Sequence, residues 1–317
     1  MIFSILLLIA GLAILIKGAD ILVLGSVSIA KRFGISSLVI GLTIVAFGTS
    51  LPELIVSVVA SLKNTSDIAL GNIVGSNISN ILLILGLTSV LSTVPVRDST
   101  VWKEIPFSLL AIVAVGLLGA DIYFGQGDNN FISRADGFIL LLFFVIFLYY
   151  VFQISRGEEN EDKGVKIYTN WVTFYLIVGG LIGLFVWGNM FVDGAVTIAK
   201  LLWMSERVIG LTVVAIGTSL PELVTSIVAA RKGQNDIAVG NIVWSNIFNI
   251  FWVLGVSAII SPVQIQLSSF VDIFVCIGAS ILLFLALIIK QKNQLDRWQW
   301  LIFVMIYSAY ITYLLVW

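Results

Sequence analysis

The six residues "GTSLPE" occur at 48–53 and again at 217–222, and these two copies decide the fold. Around them, residues 41–86 match residues 210–255 without a gap, and 30 of the 46 positions are identical. Chance similarity between apolar segments would not keep Gly, Pro, Asn and Glu in one register. The chain therefore contains an internal repeat whose copies are 169 residues apart (210 − 41 = 169).

The composition around the repeat is that of an integral membrane protein. The 317 residues are 59% hydrophobic and 11% charged, whereas a soluble domain averages about 25% charged residues. Many apolar runs reach about 20 residues, the length that crosses a bilayer core as a helix. A β-barrel would alternate apolar and polar residues, and runs such as "FILLLFFVIFLYYVF" at 138–152 do not. We therefore predict an all-α polytopic membrane protein.

Charged and turn residues divide the chain into ten predicted transmembrane helices. These spans cover 2–30, 35–61, 67–92, 101–120, 136–155, 170–199, 206–230, 236–261, 268–289 and 296–316. We assign 1–155 to a first five-helix repeat, 156–169 to a cytoplasmic acidic linker and 170–317 to a second five-helix repeat. Because five is an odd number, the second repeat enters the membrane from the opposite side. Such inverted topology is typical of secondary transporters.

Lysine and arginine in the predicted loops indicate the orientation. With the N-terminus outside, the inside loops hold twelve of these residues and the outside loops hold four. Because cytoplasmic loops carry an excess of positive charge, both termini are predicted to lie outside a plasma membrane. The linker is too short for a large regulatory domain, so no cytoplasmic Ca²⁺ sensor is expected.

Several classes of chemistry are excluded by residue content. The sequence has no histidine and a single cysteine, Cys276, which removes disulfides, Cys/His zinc sites and haem ligation. It has no basic cluster of the kind that nucleic-acid binding requires. The motif "GQGD" at 125–128 matches the GxGD of membrane aspartyl proteases, but Asp128 falls in a short polar loop. We expect no cofactor and no nucleic-acid partner, and an intramembrane enzyme stays a remote alternative.

The repeated glutamates Glu53 and Glu222 indicate a cation site. An ionised carboxylate is costly inside a membrane, and the sequence has no matching pair of buried basic residues, so a bound cation is the natural counter-charge. Pro52 and Pro221 have no N–H and should break each helix beside its Gly-Thr-Ser. We expect the break to free carbonyls near Ala46–Gly48 and Ala215–Gly217 to face a cavity.

Other polar residues recur at helical spacing beside these glutamates. Thr49 and Thr218 each precede their glutamate by four residues and so share its helix face. A second stripe has the same spacing and comprises Asn72, Ser76 and Asn80 in the first repeat and Asn241, Ser245 and Asn249 in the second. The offered atoms are hard oxygens, which suit Ca²⁺ and Na⁺ but not soft metals. For Asn72 and Asn241, hydrogen bonding between helices is an alternative role.

"GTSLPE" followed by "GNIVGSN..N", with the pair repeated, resembles the α-1 and α-2 repeats of the sodium/calcium exchanger family, within the cation/calcium antiporter superfamily. The resemblance covers all ten spans. It implies Na⁺-driven Ca²⁺ counter-transport by alternating access, usually electrogenic, with spans one and six sliding against the rest. It also implies cation ligands from both repeats, namely the side chains of Thr49, Ser50, Glu53, Ser76, Asn80, Thr218, Ser219, Glu222, Ser245 and Asn249, and the carbonyls of Ala46 and Ala215. We expect the partners to be Ca²⁺, Na⁺ and the lipid bilayer, and the protein to act as a monomer.

Two residues depart from the family pattern. Asn249 stands where K⁺-dependent and some archaeal members carry aspartate, and asparagine there resembles the K⁺-independent animal exchangers, which predicts that K⁺ is not required. Trp244 stands where the family, and Gly75 in the first repeat, have glycine, and is predicted to crowd a helix contact or narrow an access path beside Ser245. Proton-coupled relatives carry an extra acidic residue shortly after the "GN", which is missing here. This favours Na⁺, while H⁺/Ca²⁺ exchange and a channel stay alternatives.

Overall fold

The computed structural model describes residues 2–34, 37–91, 95–125, 128–155, 167–201, 204, 206–289 and 297–316, and these are mostly helical. The first half contains α1 (Ile2–Phe33), α2 (Ser37–Ile40), π1 (Gly41–Val45), α3 (Ala46–Thr49), α4 (Leu51–Leu62), α5 (Ser66–Ile78), π2 (Ser79–Ile84), α6 (Leu85–Leu91), π3 (Thr100–Glu104), α7 (Ile105–Leu118) and α8 (Arg134–Ser155). The second half contains α9 (Asn170–Leu201), α10 (Glu206–Ile209), π4 (Gly210–Val214), α11 (Ala215–Thr218), α12 (Leu220–Arg231), α13 (Asn235–Phe248), π5 (Asn249–Leu254), α14 (Gly255–Ile260), α15 (Ser269–Ile288) and α16 (Arg297–Val316).

Helical segments lie at all ten predicted spans. Among the described residues, five stretches are each long and apolar enough to cross a membrane, and the bent pair Thr43–Thr49 and Leu51–Leu62 adds a sixth. The protein is therefore membrane-embedded and helical. Residues 156–166, most of the predicted linker, lie outside the described residues, and the two-repeat division stays a prediction.

The two copies of the repeated sequence fold into the same succession of elements. The stretch from π1 to α6 corresponds one to one with the stretch from π4 to α14. As predicted, each copy breaks beside its proline: the backbone leaves the α-helical region at Ser50 (φ −86°, ψ 7°) and at Ser219 (φ −82°, ψ 3°). The helix direction changes by 44° at the first break. Pro52 and Pro221 lie in the first turn of α4 and α12, where a missing N–H costs nothing.

The centre of the molecule is formed by the continuous helices Asp67–Ser89 and Asn235–Ile260. In their apolar windows 89% and 83% of residues are buried, against 28–44% for the other three spanning stretches. Each central helix packs against the broken helix of the other repeat, α5 against π4 and α11, and α13 against π1 and α3. The two central helices and the two helix breaks therefore converge.

Matching polar contacts at the two ends of this centre follow the repeat. Arg97 forms an ion pair with Asp236, with an N–O distance of 2.6 Å. At the positions 169 residues away, Gln266 Nε2 donates to Asp67 Oδ2 at 2.8 Å. The contact to the aspartate at the start of each central helix is therefore an ion pair in one copy and a hydrogen bond from a neutral side chain in the other. The repeat is consequently visible in the contacts as well as in the sequence.

Helices α1 and α9 pack tightly against one another beside the centre. An added Cβ at Gly180 would lie 2.8 Å from the Gly18 carbonyl oxygen, so only glycine permits this approach. Close backbone contact through small residues is how helices associate in membranes. The pair also covers the first helix break, because a Cβ at Gly48 would lie 2.2 Å from a methyl carbon of Leu181.

One short feature departs from the all-α prediction. Strand β1 (Phe131–Ile132) pairs antiparallel with β2 (Val263–Gln264), with Phe131 opposite Gln264 and Ile132 opposite Val263. The two strands lie in connections that precede α8 and α15. They join the two halves of the chain at one end of the helices, and two residues are too few to have been predicted from alternation.

Candidate cation site

The two glutamates are positioned by the helix breaks. Glu53 lies in the first turn of α4 and Glu222 in the first turn of α12, where the helix dipole favours negative charge. Their exposed fractions are 1% and 0%. Within the described part of the chain, the ion pairs of lysine and arginine involve neither glutamate. Two buried carboxylates therefore share one region without a protein counter-charge.

Each glutamate is bound by serines from both repeats. Glu53 Oε1 accepts hydrogen bonds from Ser219 Oγ at 3.2 Å and from Ser76 Oγ at 3.5 Å. Glu222 Oε1 accepts from Ser50 Oγ at 2.9 Å and from Ser245 Oγ at 3.3 Å. The serine of one break thus reaches the glutamate of the other. This crossed pairing brings six of the predicted site residues together.

The two threonines connect each break to the opposite central helix. Thr49 Oγ1 donates to Asn241 Oδ1 at 3.0 Å, and Thr218 Oγ1 donates to Asn72 Oδ1 at 3.2 Å. Asn72 Nδ2 in turn donates to Ser57 Oγ at 2.9 Å. Both asparagines therefore bond helices to one another, the alternative role that the sequence left open.

The backbone carbonyls differ from the prediction. The Ala46 carbonyl accepts from the Ser50 backbone N–H at 2.9 Å, and the Ala215 carbonyl accepts from that of Ser219 at 3.2 Å. The expectation of freed carbonyls is therefore wrong for Ala46 and Ala215, because a proline removes only the bond to the residue four before it, which is Gly48 or Gly217. A carbonyl oxygen has two lone pairs, and a threonine hydroxyl of the same break also approaches each of these oxygens, Thr49 Oγ1 at Ala46 and Thr218 Oγ1 at Ala215, both at 3.3 Å. The hydroxyl of Ser76 already lies 3.4 Å from the Ala215 oxygen.

Four side-chain oxygens at this site are buried and have no hydrogen-bond partner. They are Glu53 Oε2, Glu222 Oε2, Asn80 Oδ1 and Asn249 Oδ1, and their side chains are at most 1% exposed. Leaving a buried acceptor unsatisfied costs about 1–3 kcal/mol, and more for a charged group. All four are acceptors and none is a donor, an arrangement that a bound cation would satisfy.

Asn80 and Asn249 are held by two residues that the sequence reasoning did not assign to the site. Asn80 Nδ2 donates to Asn246 Oδ1, and Asn249 Nδ2 donates to Asn77 Oδ1, both at 3.0 Å. Asn77 and Asn246 occur in register in the two repeats, within "SNISN" and "SNIFN". Their repetition could have identified these two asparagines from the sequence, but they lie outside the stripe of polar residues spaced by four.

Trp244 does not crowd the contact of α13 with π1, while the predicted narrowing of an access path beside Ser245 stays a prediction. Its indole is the largest fully buried side chain of the described residues and packs on Phe147 and Phe144 of α8, with ring centroids 4.8 Å and 6.0 Å away. The close contact of α13 with π1 persists, since a Cβ at Gly41 would lie 2.9 Å from Ile237 Cα. The indole therefore fills the space between α13 and α8 instead of crowding α13 against π1.

Carboxylates without counter-charge, at the junction of two repeats in a helical membrane protein, define the class of membrane transport proteins that carry cations. The profile of the family described as "Sodium/calcium exchanger protein" matches residues 3–153 and 172–316. The chain belongs to this sodium/calcium exchanger family.

Relatives of this chain agree with that membership. The inner membrane protein YrbG of Escherichia coli is 42% identical over 82% of this chain and 81% of its own length. The sodium/calcium exchanger MaX1 of Methanosarcina acetivorans is 32% identical over 98% of this chain and 97% of its own. A solved structure of the sodium-calcium exchanger NCX_Mj, soaked with Na⁺ and Sr²⁺, superposes with a TM-score of 0.81 at 35% identity, covering 98% of both chains.

Proposed function

We propose that the protein is a secondary antiporter that exchanges Na⁺ for Ca²⁺ across the plasma membrane by alternating access, and that it acts as a monomer. The observation that carries this proposal is the set of four buried, unpartnered acceptor oxygens on Glu53, Glu222, Asn80 and Asn249. In the proposal these oxygens, together with the hydroxyl and carbonyl oxygens around them, replace the hydration shell of the transported ion. Hard oxygen ligands of this kind suit Ca²⁺.

Alternating access is supported by the closure of the site. The predicted site residues are at most 1% exposed, so an ion reaches them only when the surrounding helices move. Leu181 on α9 covers the first break at Gly48, which makes the α1–α9 pair the element best placed to open the site. A channel would instead need a continuous path past these residues.

The charge of the site supports electrogenic exchange. Two carboxylates balance one Ca²⁺ or two Na⁺, and Asn80 and Asn249 add oxygens without adding charge. If three Na⁺ exchange for one Ca²⁺, one net positive charge moves with the Na⁺. An inside-positive potential should therefore accelerate Ca²⁺ uptake into Na⁺-loaded vesicles.

Ca²⁺ uptake should require an outward Na⁺ gradient and be indifferent to K⁺. Purified protein is reconstituted into Na⁺-loaded liposomes, which are diluted into K⁺ or choline medium containing radioactive Ca²⁺. We expect equal uptake in the two media, because the neutral amide of Asn249 offers no third negative charge for K⁺. Uptake should vanish when Na⁺ is equal on both sides.

Other outcomes identify the alternatives. Uptake that follows a pH gradient without Na⁺ would make the protein an H⁺/Ca²⁺ exchanger. Uptake that needs no counter-ion would indicate a channel. Uptake in K⁺ medium alone would overturn K⁺-independence while leaving Na⁺/Ca²⁺ exchange in place.

We propose further that the chain crosses the membrane ten times as two inverted five-helix repeats, 1–155 and 170–317, with both termini outside. Lys63 and Arg231 are exposed residues at the C-terminal ends of the two matching broken helices. In Lys63→Cys a membrane-impermeant maleimide should label intact cells. In Arg231→Cys labelling should require permeabilised cells. The parent chain is the control, since its single cysteine, Cys276, is buried, and labelling of both variants from outside would contradict the inversion.

A further inference from the structure

The amide network formed by Asn77, Asn80, Asn246 and Asn249 links the two central helices, one from each copy of the repeated sequence. Its side chains are at most 2% exposed. Asn80 Nδ2 donates to Asn246 Oδ1 and Asn249 Nδ2 donates to Asn77 Oδ1, each at 3.0 Å. In both cases the donor belongs to a predicted ligand and the acceptor belongs to the opposite repeat.

We propose that Asn77 and Asn246 are positioning residues, which orient the amides of Asn249 and Asn80 so that carbonyl oxygens and not amino groups face the transported cation. The inference rests on the proposed cation site, and it adds two residues that influence cation binding without contacting the cation. A carboxamide has an acceptor end and a donor end of nearly equal size, so its shape alone does not select an orientation. A flipped amide would present N–H donors to a cation and withdraw a ligand.

The orientation is anchored at a group that cannot flip. Asn77 Nδ2 donates to the backbone carbonyl of Asn246 at 3.1 Å. A backbone carbonyl only accepts hydrogen bonds, so Asn77 must direct its amino group there and its Oδ1 elsewhere. That Oδ1 then accepts from Asn249 Nδ2, which leaves Asn249 Oδ1 buried without a partner.

For Asn249, this order of donors explains why the unpartnered amide atom is an oxygen, and Asn80 shows the same arrangement. Asn80 and Asn249 each donate a hydrogen bond from Nδ2 to a neighbouring asparagine, and the Oδ1 of each has no partner. With random orientation, donors and acceptors would be left over equally often. The network therefore prepares the site for a positive ion before the ion arrives.

The test compares Asn77→Leu and Asn246→Leu, which keep side-chain size and remove the acceptor. Without it the amide of Asn249 or Asn80 divides between two orientations, and apparent affinity falls by the competent fraction. We expect the KM for Ca²⁺ to rise at least about twofold, the factor for two equally populated orientations. The maximal rate at saturating Ca²⁺ should change much less.

A conservative variant and a matched control separate positioning from stability. In Asn77→Asp, the protonated acid can donate its O–H to the Asn246 carbonyl and accept from Asn249, so its KM should lie near that of the parent. Thr88→Val is the control, because Thr88 is 1% exposed and its hydroxyl bonds only its own helix, to the Ile84 carbonyl at 2.8 Å. It should leave the KM unchanged. Should the leucine variants not fold, Asn77→Ser and Asn246→Ser replace them, since serine is too short to hold the neighbouring amide.

Ca²⁺ binding is read in parallel from the Ca²⁺-dependent rise in melting temperature, which needs no Na⁺ coupling. A failure of the proposed function appears as a parent protein that binds no Ca²⁺ or does not couple it to Na⁺. The positioning role is overturned if the parent binds Ca²⁺ and the folded variants at Asn77 and Asn246 keep two of its properties. These are its KM and the Ca²⁺ concentration that gives half of the maximal rise in melting temperature. The role is also overturned if Asn77→Asp is impaired as strongly as Asn77→Leu.

Discussion

Glu53→Gln and Glu222→Gln should each abolish Na⁺-driven Ca²⁺ uptake. Glutamine keeps the size of the side chain and an acceptor for the serine hydroxyls, but it removes the negative charge and puts an amino group where Oε2 stood unpartnered. Two unit charges 4 Å apart interact by about 4 kcal/mol at an effective dielectric constant of about 20. Losing even about 3 kcal/mol weakens binding more than 100-fold.

The control for these variants is Glu104→Gln. Glu104 is also fully buried in a membrane helix, and its Oε2 likewise has no partner, but its Oε1 accepts a hydrogen bond from Tyr150 and it belongs to π3, outside the repeated site. Its substitution should preserve uptake. A loss as complete as in Glu53→Gln would mean that any buried carboxylate is needed for folding.

Thermal stability supplies a second readout for the glutamate variants. Without Ca²⁺ the melting temperature should not fall, because glutamine removes a buried charge that has no protein counter-charge. The rise of the melting temperature on adding Ca²⁺ should disappear, since it measures binding to the folded state. Retention of that rise in both variants would rule out the two carboxylates as ligands.

Gly75→Ala should reduce uptake at least about tenfold, although it adds one methyl group. The new Cβ would lie 2.9 Å from Ala215 Cβ and 3.0 Å from the Leu211 carbonyl oxygen, so α5 and the π4–α11 segment must separate. That segment carries the Ala215 carbonyl, and α5 carries Ser76, whose hydroxyl lies 3.4 Å from the Ala215 oxygen. A shift of a few tenths of an ångström in ligand positions is expected to weaken a site built from fixed oxygens.

Gly278→Ala is the matched control, because a Cβ at Gly278 in α15 would meet nothing within 4 Å. It should leave uptake and melting temperature unchanged. Normal uptake by Gly75→Ala would show that the two segments separate without cost to the site, and would remove the close packing as a requirement for transport.

Trp244→Gly, which copies Gly75 into the second repeat, should lower stability and not improve transport. The indole is 1% exposed and lies between Phe144 and Phe147. Deleting a buried tryptophan side chain costs on the order of 3–5 kcal/mol. A large fall in melting temperature is expected, and a higher transport rate at unchanged stability would support the idea that the indole obstructs a path.

Local chemistry made part of this structure predictable. The helix breaks at Ser50 and Ser219 follow from Pro52 and Pro221, because a proline disrupts the helical hydrogen bond within one turn of itself. The carboxylates Glu53 and Glu222 indicated a cation because a charge inside an apolar span needs a counter-charge wherever its neighbours lie. The π-helical segments carry no comparable signal in one sequence, and they were missed.

By itself, the sequence determined that the protein is a helical membrane protein, that it contains an internal repeat, and that Glu53 and Glu222 are its candidate site carboxylates. Hydropathy, repeat register and the cost of a buried charge can all be read from short segments. Only the tertiary structure decided that Ser219 binds Glu53 and Ser50 binds Glu222, that the Trp244 indole packs on α8, and which end of the Asn249 amide is free. Those outcomes depend on partners that are mostly 100 to 200 residues away along the chain. Packing brings them together, and the pattern of a single helix contains no record of which neighbour each side chain meets.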